Sequence, residues 1–197
     1  MNGTAETVST HFMVIKSFQQ VILDKGGPPP LVICDIDHTF LKCSYNLDYF
    51  RQLTKQDSMF VMDVGKFDVN YDQEAVQLML RAYSMGFVTQ TDPHGFAQLL
   101  DRVERLGGKV MFLTARGIIY HEKTINDLKT AGLSNPERFD IHYTNGDMTK
   151  GEYLKCTKLL DGRACQNVAF IDDYPSYIQS VHQQFPWVRC YLFKYDC

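Results

Sequence analysis

Asp35 and Asp37 stand two positions apart at the end of the apolar run Leu31-Val32-Ile33-Cys34. On an extended chain alternate side chains share a face, so the two carboxylates would point the same way. Anions that close repel, and each raises the other's pKa unless a cation lies between them. A hard divalent ion such as Mg2+ meets that need, because it prefers oxygen ligands. The alternative for the same residues is an Asx turn that ends a strand. Taken alone, D-x-D-x-T is only a weak signal.

Three further groups stand after apolar runs. Val110-Met111-Phe112-Leu113 is followed by Thr114, whose hydroxyl can hydrogen-bond a phosphate oxygen. Asn145-Gly146-Asp147-Met148-Thr149-Lys150-Gly151 places Lys150 at the start of a predicted helix, where an ammonium suits an anion. The run ending at Ile171 leads into Asp172-Asp173, a second carboxylate pair. Singly, Thr114 reads as a cap, Lys150 as a solvated charge and Asp172-Asp173 as a helix start. Their joint occurrence, each at a strand exit, favours a catalytic site. Arg116, just past Thr114, has two readings: a phosphate contact, or a salt bridge within the core.

The elements that would position these residues can be read from the pattern. Gly26-Gly27-Pro28-Pro29-Pro30 separates a predicted helix over 16–25 from a strand over 31–34. Further buried strands are predicted over 109–113, 140–143, 168–171 and 188–193, and helices over 96–106, 118–131 and 152–160. Strands alternating with helices imply an α/β fold with a mainly parallel sheet and helices on both faces. In such sheets ligands bind beyond the carboxyl ends of the strands, where all of these side chains would lie. Residues 43–92 break the rhythm. They are read as an insert after the first strand, with a helix over 74–85, and the interval between Thr114 and Lys150 leaves no room for a second one.

The segments CDIDHTFL, FLTAR, TKGEYL and FIDDY together resemble the four motifs of the haloacid dehalogenase-like superfamily of aspartate-nucleophile phosphohydrolases. His38 departs from that pattern, since a small or acidic residue is commoner there. The resemblance implies a Rossmann-like three-layer core over residues 1–42 and 93–197, with a small, mostly helical cap over 43–92. It also implies roles. Asp35 is the nucleophile, Asp37 the acid and base, and Thr114 and Lys150 stabilise the charge on the transferring oxygens. Mg2+ is held by the Asp35 and Asp172 carboxylates and the Asp37 main-chain carbonyl, with Asp173 acting through water. The implied activity is a Mg2+-dependent phosphatase working through an aspartyl-phosphate. The alternatives are a phosphotransferase or phosphomutase, a small-metabolite phosphatase, and a binding protein that keeps the fold without turnover. A weaker similarity is to an uncharacterised branch found in intracellular bacteria, where a bacterial effector is one expectation.

Other classes fit poorly. A net charge of −3 gives no basic excess for nucleic acid. No apolar run is long enough to span a bilayer. The first residues lack the features of a signal peptide, so a cytoplasmic location is expected, with export by a route lacking an N-terminal signal left open. The six cysteines form no C-x-x-C pair, and no cysteine-phosphatase C-x5-R signature occurs. No separate cofactor-binding loop is found. Tyr45, Tyr49 and Phe50 come after the first motif. They either pack the insert on the core or line the mouth of the site, where they would favour an aryl phosphate, including phosphotyrosine in a protein partner.

Overall fold

A computed structural model describes residues 12–44, 87–163 and 167–195. Six parallel strands form the central sheet: β1 (Met13–Ile15), β2 (Leu31–Cys34), β5 (Lys109–Thr114), β6 (Asp140–Tyr143), β7 (Val168–Asp172) and β8 (Arg189–Phe193). Their spatial order is β1-β8-β7-β2-β5-β6. Among the described residues four α-helices flank the sheet: α1 (Pro93–Arg105), α2 (His121–Thr130), α3 (Lys150–Cys156) and α4 (Pro175–Gln184).

Alternation along the strands explains the layers. Val32, Cys34, Val110, Phe112, Ala169 and Ile171 join one core with Phe96 and Leu99 of α1 and Leu128 of α2. Leu31, Ile33, Met111, Leu113, Val168 and Phe170 join the other with Leu154 of α3 and Ile178 and Val181 of α4. A strand buried on both faces reads as a continuous apolar run, which is why these strands are legible in the sequence. The protein is thus a three-layer α/β fold with a parallel sheet.

Several elements differ from expectation. The helix expected over 16–25 does not form: β1 lies before it at the sheet edge, and the stretch itself holds a single 3-10 turn, Phe18–Gln20, capped by Ser17 and Gln20. Phe18 and Val21 are buried there by tertiary packing, which mimics a helical apolar period. Helix α4 has no counterpart among the predicted helices, although Pro175 at its first turn is a start signal. Two further strands, β3 (Leu41–Ser44) and β4 (Phe87–Gln90), pair as a separate antiparallel ribbon. The helix expected over 74–85, and Tyr45, Tyr49 and Phe50, lie outside the described residues. Among the described residues Cys34, Cys156 and Cys190 are free thiols.

Helix α3 bears most directly on the strand ends, because it carries Lys150. Thr149 caps it: the Thr149 hydroxyl accepts from the Glu152 amide at 3.3 Å, and the Glu152 carboxylate accepts from the Thr149 amide at 2.9 Å. Gly151 lets α3 lie against α4, since a Cβ there would stand 2.1 Å from the Ser180 carbonyl oxygen. We expect Gly151→Ala to force the helices apart at a cost of about 1–3 kcal/mol. Thermal unfolding should show a melting temperature several degrees lower, and an unchanged one would contradict this packing.

Candidate active site

From β2 the chain crosses to β5 and β6 on one side, while β7, β8 and β1 lie on the other. That reversal makes the carboxyl end of β2 a topological switch point, the usual place for a ligand in such sheets. Asp35 stands there, with Thr114 at the end of β5 and Asp172 at the end of β7 on either side.

Lys150 reaches between the two acids. Its Nζ donates to Asp35 Oδ1 and, at 2.7 Å, to Asp172 Oδ2, and it lies 4.9 Å from the centre of the Tyr177 ring. Lys150 and Asp172 are fully buried and Asp35 nearly so. Burial opposes the Lys150 charge, but Asp172 and Asp35 outweigh it and hold the ammonium above its usual pKa. Asp35 is raised to about 7, chiefly by burial and further by the charges of Asp172 and Asp37, against the pull of Lys150. Burial likewise raises Asp172 against the pull of Lys150.

Asp37 does not join this group. The strand ends at Cys34, and a tight turn comes next, in which the amides of Phe40 and Leu41 donate to the Ile36 carbonyl at 3.0 and 2.7 Å. His38 takes the left-handed conformation, φ 59°, that the turn requires. The expectation that residues 35 and 37 point the same way holds only for an extended chain, and the turn removes that condition. The Asp37 carboxylate instead accepts two bonds from Arg116, Nε to Oδ2 and Nη2 to Oδ1, both at 2.8 Å. Each acid therefore has its own cation. Of the two roles open to Arg116, phosphate contact or salt bridge, the structure shows the salt bridge.

The same turn aims Thr39 at the fourth motif. Its hydroxyl accepts from the Asp173 amide at 2.9 Å and donates to Asp173 Oδ1 at 3.2 Å. In the sequence Thr39 is visible only as part of the D-x-D-x-T pattern, and its role needs the fold. Thr114 is buried, and its hydroxyl accepts from the Arg116 amide at 3.1 Å. That leaves the hydroxyl proton for an oxygen acceptor. Exposed apolar side chains also adjoin these strand ends in sequence: Ile118 and Ile119 after β5, Met148 before α3 and Tyr174 after β7.

The donor set suits a hard divalent cation. One oxygen each from Asp35, Asp172 and Asp173 lie within 4.8 Å of one another. Three carboxylates against the single Lys150 ammonium leave an excess of negative charge that a divalent ion would neutralise. The Asp37 carboxylate is not in this set, so a role for Asp37 toward a metal would run through its main chain.

Without a cation the cluster is costly. Asp173 is pushed up from 3.8 to about 6, chiefly by burial and then by the Asp35 charge, while His38, Thr39 and Lys150 oppose the rise. As the pH climbs through that interval the unfolded chain loses the proton first, so stability falls and stays lower above it. Asp173→Asn keeps the oxygen that accepts from Thr39 but removes the charge. In chelator-treated protein at about pH 8 the variant should melt a few degrees above the parent, by on the order of 1 kcal/mol, with the gap closing toward about pH 4. A variant that melts lower at the alkaline pH would contradict this electrostatic cost.

Known proteins share the fold. Residues 14–144 match the model of a family described as "Protein of unknown function (DUF2608)". No curated protein matches in sequence. A haloacid dehalogenase-like family hydrolase from Xanthomonas campestris aligns with TM-score 0.51 at 15% identity, over 87% of this chain and 87% of that one. A protein described as a beta-phosphoglucomutase from Thermotoga maritima aligns with TM-score 0.52 at 16% identity, over 81% and 83% of the two chains. At such identities the likeness establishes the fold, which is the one the four motifs implied. The family match begins in β1, runs past β6, and takes in Asp35, Asp37 and Thr114, so the chain belongs to the DUF2608 family and carries a haloacid dehalogenase-like fold.

Proposed function

We propose that the protein is a Mg2+-dependent phosphatase that hydrolyses phosphomonoesters through an aspartyl-phosphate on Asp35. The observation that carries this reading is the buried Asp35–Lys150–Asp172 group at the switch point, with Thr114 at the neighbouring strand end. An acid pinned by an ammonium at the open end of a parallel sheet is poised as a nucleophile toward an anionic centre.

In this reading an Asp35 oxygen attacks phosphorus in line with the ester oxygen. Lys150 and Thr114 donate to the oxygens on which charge collects. Asp37 hands a proton to the leaving group and later takes one from the attacking water. Mg2+, held by Asp35, Asp172, Asp173 and the Asp37 main chain, would supply charge neutralisation for the dianionic phosphoryl group.

For the substrate class we propose aryl phosphates, phosphotyrosine in a peptide or protein among them. The exposed Ile119, Met148 and Tyr174 support this, since they adjoin catalytic positions in sequence and offer apolar and aromatic surface. Tyr174 packs edge-on against Tyr177, the ring beneath Lys150, with centroids 5.4 Å apart. Among the described residues no helix is long and apolar enough to cross a membrane.

The test is a screen of phosphorylated metabolites beside phosphotyrosine, phosphoserine and phosphothreonine peptides, with Mg2+ and with chelator. Turnover should require Mg2+ and be highest, in kcat/KM, on aryl phosphates. Asp35→Asn should abolish it while the protein still melts cooperatively. Retained turnover in that variant would contradict the mechanism. A sugar phosphate or nucleotide hydrolysed far faster than any aryl ester would overturn the substrate class alone.

A further inference from the structure

We infer that Arg116 is a positioning residue for Asp37, and that the network behind it on α2 governs how fast the phosphoenzyme is hydrolysed. This rests on the proposed phosphatase activity. The guanidinium grips both oxygens of Asp37 with one edge, at 2.8 Å each. With its remaining nitrogen, Nη1, it donates to Asp127 Oδ2 at 2.9 Å and Thr124 Oγ1 at 3.1 Å. Lys123 in turn donates to both Asp127 oxygens at 2.8 Å.

The middle of this network is buried, and both its ends, Asp37 and Lys123, are partly open. The side chains of Arg116 and Asp127 are 7% and 11% exposed, while Asp37, the end nearest the nucleophile, is 26% exposed. A two-point grip fixes the plane of a carboxylate as well as its place, which a single ammonium does not. A buried ion network is in itself a weak source of stability. Here it ends on the one group that must take a proton from water at a defined angle.

In the step concerned, the oxygen of water bonds to phosphorus and its proton passes to the Asp37 carboxylate. The bond between phosphorus and the Asp35 oxygen breaks, which releases inorganic phosphate and restores the Asp35 carboxylate. Without the grip of Arg116, Asp37 turns about its own side-chain bonds and is seldom aligned. Hydrolysis should then slow by about 10- to 100-fold, part of what a well-placed base contributes. Formation of the phosphoenzyme from a substrate with a good leaving group needs little help from Asp37 and should change far less.

The experiment is rapid mixing of p-nitrophenyl phosphate with Mg2+-loaded protein. Arg116→Gln should release a burst of p-nitrophenol close to one per protein, followed by a slow steady state. Arg116→Lys should do the same, because it cannot hold both oxygens, and Asp127→Asn should give a smaller burst. A merely structural role would lower both phases together and leave no burst. Absence of a burst in Arg116→Gln, or full turnover in Arg116→Lys, overturns the inference. If Arg116→Gln does not fold, absence of a burst in the other two variants does so. Wild-type protein that turns over no phosphomonoester would overturn the proposed phosphatase activity itself, an outcome distinct from an active parent with burst-free variants.

Discussion

A lysine ammonium with no exposed surface, set between two buried carboxylates, is the constraint on which the rest of the molecule depends. Each of the three groups would be costly alone in that place, and removing one leaves an uncompensated charge. The trio holds only if α3, β2 and β7 stay in register. The capping box at Thr149 and the bare Gly151 serve this end, since one starts α3 at Lys150 and the other lets it sit close to α4.

The trio also divides the labour of the first motif. Asp35 is tied to Lys150 and shares the buried side of the site with Asp172. Asp37, at the start of the tight turn, is tied to Arg116. Two carboxylates two positions apart therefore sit in different surroundings, one buried and one partly open. Separate environments of this kind allow neighbouring acids to take separate chemical parts.

The site residues are legible where they end apolar runs. Strands β2, β5 and β7 are buried on both faces, so their last residues mark the open end of the sheet without any knowledge of the fold. What sequence does not supply is the turn. The pairing of Arg116 with Asp37 spans the ends of two strands, and the link from Thr39 to Asp173 crosses from the first motif to the last. Both depend on where a bend in the backbone aims a side chain. The stretch over 16–25 misleads for a related reason, because Phe18 and Val21 are buried by packing against other elements and not by a helix of their own.

In the proposed reaction Asp35 carries the phosphoryl group between the two half-reactions. The most direct measurement is to quench the protein during turnover of an aryl phosphate, reduce it with borohydride and map the product by mass spectrometry. An aspartyl-phosphate is reduced to homoserine, whereas a free carboxylate is not. The predicted result is homoserine at position 35 and at no other aspartate. Homoserine at another aspartate, or its absence from every position while the enzyme is turning over, would contradict the claim.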